Sequence, residues 1–141
     1  MEQARPMIFI DPWVFIEYFS GEERWKKAES VLKKLEGGRG VISSLVLAEV
    51  RYRILRKFET EKADRVIHAI ESFENLQVVP VTAEVAKYGA DLRNKYYQRG
   101  EKELSYADAI HLATAVLAGC GKLYSGDPDF EEIEEIETEV I

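Results

Sequence analysis

Met7-Ile-Phe-Ile10 is a run of four apolar residues that stops abruptly at Asp11-Pro12. Four residues are too few for a helix and suit a strand buried on both faces. Asp followed by Pro is how a helix begins: the carboxylate accepts a free backbone N–H at the N-cap, and Pro fits the first helical position. The chain therefore opens as strand, acid, helix, and the pattern recurs. Gly40-Val-Ile-Ser43, Leu76-Gln-Val-Val79 and Lys122-Leu-Tyr-Ser125 are three more short strands, and a fifth is expected within residues 136–140. Helices are expected over residues 12–19 and 22–36, the latter closed by Gly37-Gly38. Others are expected over residues 44–58 with Ser44 as N-cap, 60–73 capped by Thr60, 82–99 stopping at Gly100, and 105–118 capped by Ser105 and closed by Gly119. Short apolar strands alternating with helices give βαβ units, hence an α/β fold whose short parallel sheet of four to five strands is covered by helices on both faces.

The 141 residues suit one domain, expected to span residues 1–141, with no repeat or long linker. A hydrophobic fraction of 46% and a charged fraction of 32% exclude a disordered or collagen-like chain. Cys120 is the only cysteine, which excludes a disulfide framework and a cysteine-built zinc site. No apolar run approaches the ~20 residues of a membrane span, and the first residues lack the layout of a signal peptide. The expectation is a cytoplasmic protein with no membrane partner. The net charge of −7 is unevenly spread. Residues 1–126 hold all 19 bases against 18 acids, whereas residues 127–141 hold eight acids and no base. The body is nearly neutral, so local basic faces remain open to nucleic acid. Abundant Glu, Lys and Arg beside few Asn and Gln resembles the composition of thermophile proteins.

In open α/β sheets ligands bind beyond the carboxyl ends of the strands. Asp11 follows the first strand and Asp127 the fourth, with Asp129 just after it; Glu49 lies in the second turn of the helix after the second strand. Asp108 starts the helix preceding the fourth strand, and a right-handed crossover brings that helix start to the same sheet edge. Each acid has a purely structural reading. Asp11-Pro12 and Asp127-Pro128 are helix starts, Ser105-x-x-Asp108 resembles a capping box, and Glu49 is spaced to pair with Arg53. Their joint placement at one edge favours a shared site.

The helix at 105–118 is apolar nearly all round and should be buried, with Asp108, His111 and Thr114 as its polar stripe. His111 reads first as a hydrogen-bonded core histidine, and no histidine spacing supports a zinc site. Ionised carboxylates about 5 Å apart repel by about 3 kcal/mol at an effective dielectric near 20. A cluster of them holds protons or cations, and hard oxygen donors suit Mg²⁺ or Mn²⁺. Two such ions can activate water and stabilise a leaving oxygen in phosphodiester cleavage.

The sequence resembles the PIN domain, and within it the VapC-type toxin ribonucleases of prokaryotic toxin–antitoxin pairs. The likeness rests on Ile8-Phe-Ile-Asp11, Ile42-Ser-Ser-Leu-Val-Leu-Ala-Glu49-Val, Leu104-Ser-Tyr-Ala-Asp108-Ala-Ile-His-Leu-Ala-Thr-Ala115 and Leu123-Tyr-Ser-Gly-Asp127-Pro-Asp-Phe130, in family order. The resemblance implies a three-layer α/β/α fold and a metal-dependent endoribonuclease using Mg²⁺ or Mn²⁺. It implies that Asp11, Glu49, Asp108 and Asp127 are the metal-binding catalytic acids. Asp129 would be a further metal-side acid, with Ser125 and Ser43 as supporting residues. It also implies an RNA substrate, a cognate antitoxin protein and a homodimer or higher homo-oligomer. One position departs from the pattern: Pro12-Trp13 follows the first Asp, where Thr or Ser is usual, so a hydroxyl that could reach the cluster is missing. That departure favours the alternative, a catalytically weak or inactive PIN-like module that binds protein or RNA.

Other features divide between packing and function. Trp13, Phe15, Tyr18, Phe19 and Trp25 crowd the first helices and read mainly as core, with a partner-binding patch as the alternative. Arg51, Arg53, Arg56 and Lys57 read equally as an RNA-backbone contact and as a solvated helix face. For Arg93, Lys95, Arg99 and Lys102 the solvated face is favoured, and Tyr96-Tyr97 reads as packing. The tail from Glu131 to Glu139 reads as a solvated face and edge strand. A receiver-type domain would need an acceptor Asp where the third strand runs into Pro80-Val81-Thr82, and a dehalogenase-like phosphatase would need Asp at Trp13.

Overall fold

In a computed structural model, residues 6–141 are described. The strands are β1 (Met7–Ile10), β2 (Arg39–Ser43), β3 (Leu76–Val79), β4 (Lys122–Ser125) and β5 (Glu137–Val140). The helices are α1 (Pro12–Ser20), α2 (Trp25–Leu32), α3 (Ser44–Lys57), α4 (Thr60–Ser72), α5 (Ala83–Tyr96) and α6 (Tyr106–Leu117). The five strands form one parallel sheet in the order β3-β2-β1-β4-β5, flanked by the six helices. The strand–helix alternation predicts this parallel sheet covered by helices, and the three-layer α/β/α arrangement is the one that the resemblance to the PIN domain implies.

β1 lies between β2 and β4, pairing Phe9 with Val41 on one side and with Leu123 on the other. Successive residues Ile8, Phe9 and Ile10 are all buried, as a strand covered on both faces requires. Phe9, Ile10, Ile42, Leu112, Leu123 and Phe130 anchor the core. The buried middle of α6 packs on β2, and α5 lies against α6 so closely that a Cβ on Gly89 would stand 3.1 Å from the Ile110 side chain. Strand order reverses between β1 and β4: the chain steps outward through β2 and β3, then crosses to β4 and β5. No helix among the described residues is long and apolar enough to cross a membrane.

The differences from the expected elements have local causes. The helix expected over 22–36 is shorter. Gly21 ends α1 in the left-handed conformation at φ 63°, the chain turns through Glu22–Arg24, and α2 gives way to a 3₁₀ turn at Lys33–Glu36. Ser43, not Ser44, is the N-cap of α3 by position, but its hydroxyl faces the His111 ring and makes no cap bond. Ser44 begins the helix and accepts the Val81 N–H. Thr60 likewise begins α4 after Glu59. α5 stops at Tyr96 because Gln98 and Lys102 exchange backbone hydrogen bonds around Gly100, at φ 82°. The acidic tail is more engaged than a solvated face. Tyr96 donates to Glu135, Lys95 pairs with Glu134 and Glu135, and Lys122 pairs with Glu137 and Glu139 of β5. Of the crowded aromatics only Phe15 is fully buried; Trp25 is exposed.

Phe9→Ala removes a fully buried ring from the central strand and is expected to cost about 3–5 kcal/mol. Gln77→Ala, on an exposed position of β3, should stay within about 0.5 kcal/mol. Urea unfolding of the two variants measures the difference.

Candidate active site

Asp11 leaves the carboxyl end of β1 beside the end of β4, in the crevice where strand order reverses. Its backbone N–H donates to Tyr124 O at 3.0 Å, which continues the β1–β4 ladder by one residue and fixes the side chain. As N-cap of α1 it accepts the Trp13 N–H on Oδ2 at 3.0 Å. The Ser125 hydroxyl donates to the same oxygen at 3.0 Å. The helix-start reading is therefore correct, but the carboxylate is only 5% exposed, which capping does not require. Its pKa is pushed up to about 7. Burial is the main cause, opposed by His111 and by the Trp13 N–H, while the Asp108 charge raises it further.

Ser125 joins two acids. While donating to Asp11 it accepts the Asp127 N–H at 3.0 Å. Asp127 in turn caps the 3₁₀ turn Pro128–Phe130, accepting the Asp129 N–H at 2.9 Å. Asp108 closes the capping box of α6 with Ser105. Burial holds its carboxyl above the usual range, and the nearby Asp127 charge adds to that. Glu49, from the second turn of α3, does not pair with Arg53. Its Oε1 lies 2.7 Å from His111 Nε2. A carboxylate can only accept, so Nε2 carries the proton and Nδ1 faces the Ser43 hydroxyl at 3.3 Å. His111 is the buried, hydrogen-bonded histidine expected, and its partner is one of the candidate acids.

Asp11, Glu49, Asp108 and Asp127 line one cavity of about 400 Å³. Asp129 does not line it; its Oδ1 accepts the Glu103 N–H at 3.3 Å. Ser43 acts on the site through His111 alone. The sequence reading missed part of the wall: Glu17 of α1 also lines the cavity, as do Glu22, Glu23 and Arg24 of the turn after Gly21. Lys57, at the end of α3, lines it too. The acids clustered at 17–23 were the available signal. A slightly larger hollow of about 440 Å³, beside Tyr18, Leu32 and Phe73, lacks such a cluster of engaged acids.

Among the described residues no three His, Cys, Asp or Glu side chains are gathered closely enough to enclose an ion. The donor chemistry nonetheless fits a hard divalent cation. The Asp108 charge raises the proton affinity of Asp11, and the Asp127 charge raises that of Asp108, as carboxylates do where a cation would relieve them. Mg²⁺ is commonly held by one or two carboxylates with waters and substrate phosphate, without an all-protein cage.

The family model of the PIN domain matches residues 8–136. The chain belongs to the PIN domain family. No curated protein matches it. Among solved structures, VapC20 of Mycobacterium tuberculosis, titled a sarcin–ricin loop cleaving toxin, superposes with a TM-score of 0.75 at 22% identity, over 92% of this chain and 98% of that one. VapBC2 from Rickettsia felis, solved on a fragment of its promoter DNA, gives 0.71 at 18% identity, over 94% and 97%. A toxin–antitoxin complex from Klebsiella pneumoniae gives 0.68 at 22% identity, over 92% and 94%. At these identities the likeness is one of fold.

In this PIN domain the residue after Asp11-Pro12 has a partner of its own. The Trp13 indole lies against Gly126: a Cβ there would stand 2.1 Å from the ring. The Arg24 guanidinium sits over the same ring, 4.6 Å from its centroid. Gly126 is thus required by close approach and separates Ser125 from Asp127.

Gly126→Ala is expected to cost about 1–3 kcal/mol through overpacking. In a Trp13→Ser background that cost should shrink to within about 0.5 kcal/mol, a coupling that a double-mutant cycle in urea reads directly. Asp11 gives a second expectation. A folded-state pKa of about 7 against 3.8 means that the folded state binds the proton more tightly. Metal-free stability from this group therefore falls as pH rises from about 4 to about 7, by up to about 4 kcal/mol. Asp11→Asn keeps an acceptor for Trp13 and Ser125. It should melt higher than the wild type at pH 8 without metal, and lose that advantage as pH approaches 4.

Proposed function

We propose that the chain is a metal-dependent endoribonuclease that cuts RNA phosphodiester bonds by attack of water, acting as a single PIN-like unit of residues 1–141. It is the toxin of a prokaryotic type II toxin–antitoxin pair working in the cytoplasm. The observation that carries the reading is the meeting of Asp11, Glu49, Asp108 and Asp127 in one cavity at the β1–β4 switch, in a chain of the PIN family. Mg²⁺ or Mn²⁺, when bound, would activate water and stabilise the leaving oxygen. Asp11, Asp108 and Asp127 would hold it, with Glu49 released from His111 to join them and Asp129 as an outer acid.

The chain's own residues orient that site. Ser125 fixes the Asp11 carboxylate and the Asp127 backbone with one hydroxyl, Ser105 and the α6 capping box aim Asp108, and Ser43 steadies the His111 ring that holds Glu49. Several proteins of like fold were solved as complexes with antitoxins. A partner of that kind would stop this enzyme by placing an Arg among the acids, where a planar guanidinium pairs with carboxylates in a bidentate way. Homodimers or higher homo-oligomers belong to the same reading. One observation favours a second reading, a PIN-like binding module without catalysis: Pro12-Trp13 follows Asp11 in place of the usual Thr or Ser, and Trp13 meets Asp11 through its backbone N–H.

The two readings part on one experiment. The purified protein should cleave total cellular RNA with Mg²⁺ or Mn²⁺ and stop with a chelator. Asp108→Asn should fold normally, since Asn still accepts the Ser105 N–H, yet cleave roughly a hundredfold more slowly or worse, at or beyond the upper end of what outer-shell changes around a metal cost. Unchanged cleavage by that variant, or none by the wild type in either metal, overturns the enzyme reading.

A further inference from the structure

Seven acidic side chains and three cations line the cavity. Two of the cations are engaged. Lys57 pairs with Glu22 at 2.8 Å, and Arg24 lies over Trp13 while its Nη1 donates to Ile141 O at 3.1 Å. Arg53 is different. Among the described residues it has no hydrogen bond, ion pair or ring contact, although it is exposed and surrounded by carboxylates. Its natural partner is Glu49, four residues earlier on α3, at the spacing where helical ion pairs form. That carboxylate is taken by the buried His111 instead. The Ser43–His111–Glu49 chain therefore leaves Arg53 free four residues along α3, about 6 Å of helix rise, from a candidate metal-binding acid.

We infer that Arg53 is the phosphate-binding side chain of this cavity, holding an RNA phosphate next to the carboxylates. The assignment rests on the ribonuclease reading above and adds to it the group that receives the substrate's charge. A cavity rich in carboxylates repels a polyanion. A divalent ion, if bound by the acids, would offset part of that repulsion, and a cationic side chain would offset more of it. A guanidinium meets this need better than an ammonium, because its planar fork donates two parallel hydrogen bonds to phosphate oxygens. Arg56, three residues on along the same helix, is also exposed but does not line the cavity. It supplies the comparison between a placed charge and a merely nearby one.

The test uses the full chain with total cellular RNA for cleavage in Mg²⁺ or Mn²⁺. Binding is measured with a random-sequence single-stranded RNA in an Asp108→Asn background. Arg53→Gln should weaken RNA binding roughly ten- to a hundred-fold, as loss of a charged hydrogen-bonded contact does. It should also reduce the slope of log affinity against log salt by about 0.7, the value of one phosphate contact on a single strand. KM should rise more than kcat falls. Arg53→Lys should keep the salt slope and recover only part of the affinity, while Arg56→Gln should match the parent. If the wild type cuts RNA but Arg53→Gln equals it in KM, affinity and salt slope, Arg53 has no such role and the ribonuclease reading stands. If Arg56→Gln lowers affinity and slope as much as Arg53→Gln, the effect is general attraction and the assignment is wrong. A wild type that neither binds nor cuts RNA overturns both readings together.

Discussion

A carboxylate with almost no access to water, at the one seam where the two halves of the sheet meet, sets the terms for the rest of the molecule. Among the described residues no base forms an ion pair with Asp11, and His111 acts on it only through its charge. The carboxylate is held by the Trp13 N–H and the Ser125 hydroxyl on one oxygen. The folded chain keeps an expensive group where a sheet of this topology opens its crevice. Such a group is ill suited to stability and well suited to holding a proton or a cation.

The surroundings show how that cost is contained. Ser125 serves Asp11 and Asp127 at once, so the two acids share a support even though their charges do not attract. The chain from Ser43 through His111 occupies Glu49, which makes no pair with Arg53. Two residues after Asp11, the Trp13 ring packs on Gly126 and lies under the Arg24 guanidinium. The indole fills this part of the wall, and only a residue without a side chain fits beneath it at Gly126.

The fold was legible because the four main strands are short apolar runs ended by Asp, Pro or a helix start, a pattern with few solutions. The acids could be placed on one edge from the strand ends, the helix starts and the right-handed crossover, and Asp11, Glu49, Asp108 and Asp127 do line one cavity. Helix limits were less legible where tertiary contacts decide them. Ser43 gives up its capping role to a histidine 68 residues away, and nothing near Gln98 announces the backbone pairing with Lys102 that stops α5. The same holds for the site's second layer. His111 as the holder of Glu49, Gly126 as the floor under Trp13, and Asp129 turned towards Glu103 all depend on contacts between distant segments, which residue spacing does not encode.

The strand order also has a consequence in time. β1 is the first strand made, yet one of its two neighbours is β4, more than a hundred residues later, and pairings of such separation form late because a long loop must close first. As synthesis proceeds from the N-terminus, β1, β2 and β3 can associate with Asp11 at an open edge, without the hydroxyl of Ser125 or the carboxylate of Asp127. No chain halted before β4 holds the complete cavity. The segment that brings Ser125 and Asp127 is also the one whose pairing closes the sheet, so the acids come together only as the fold is completed.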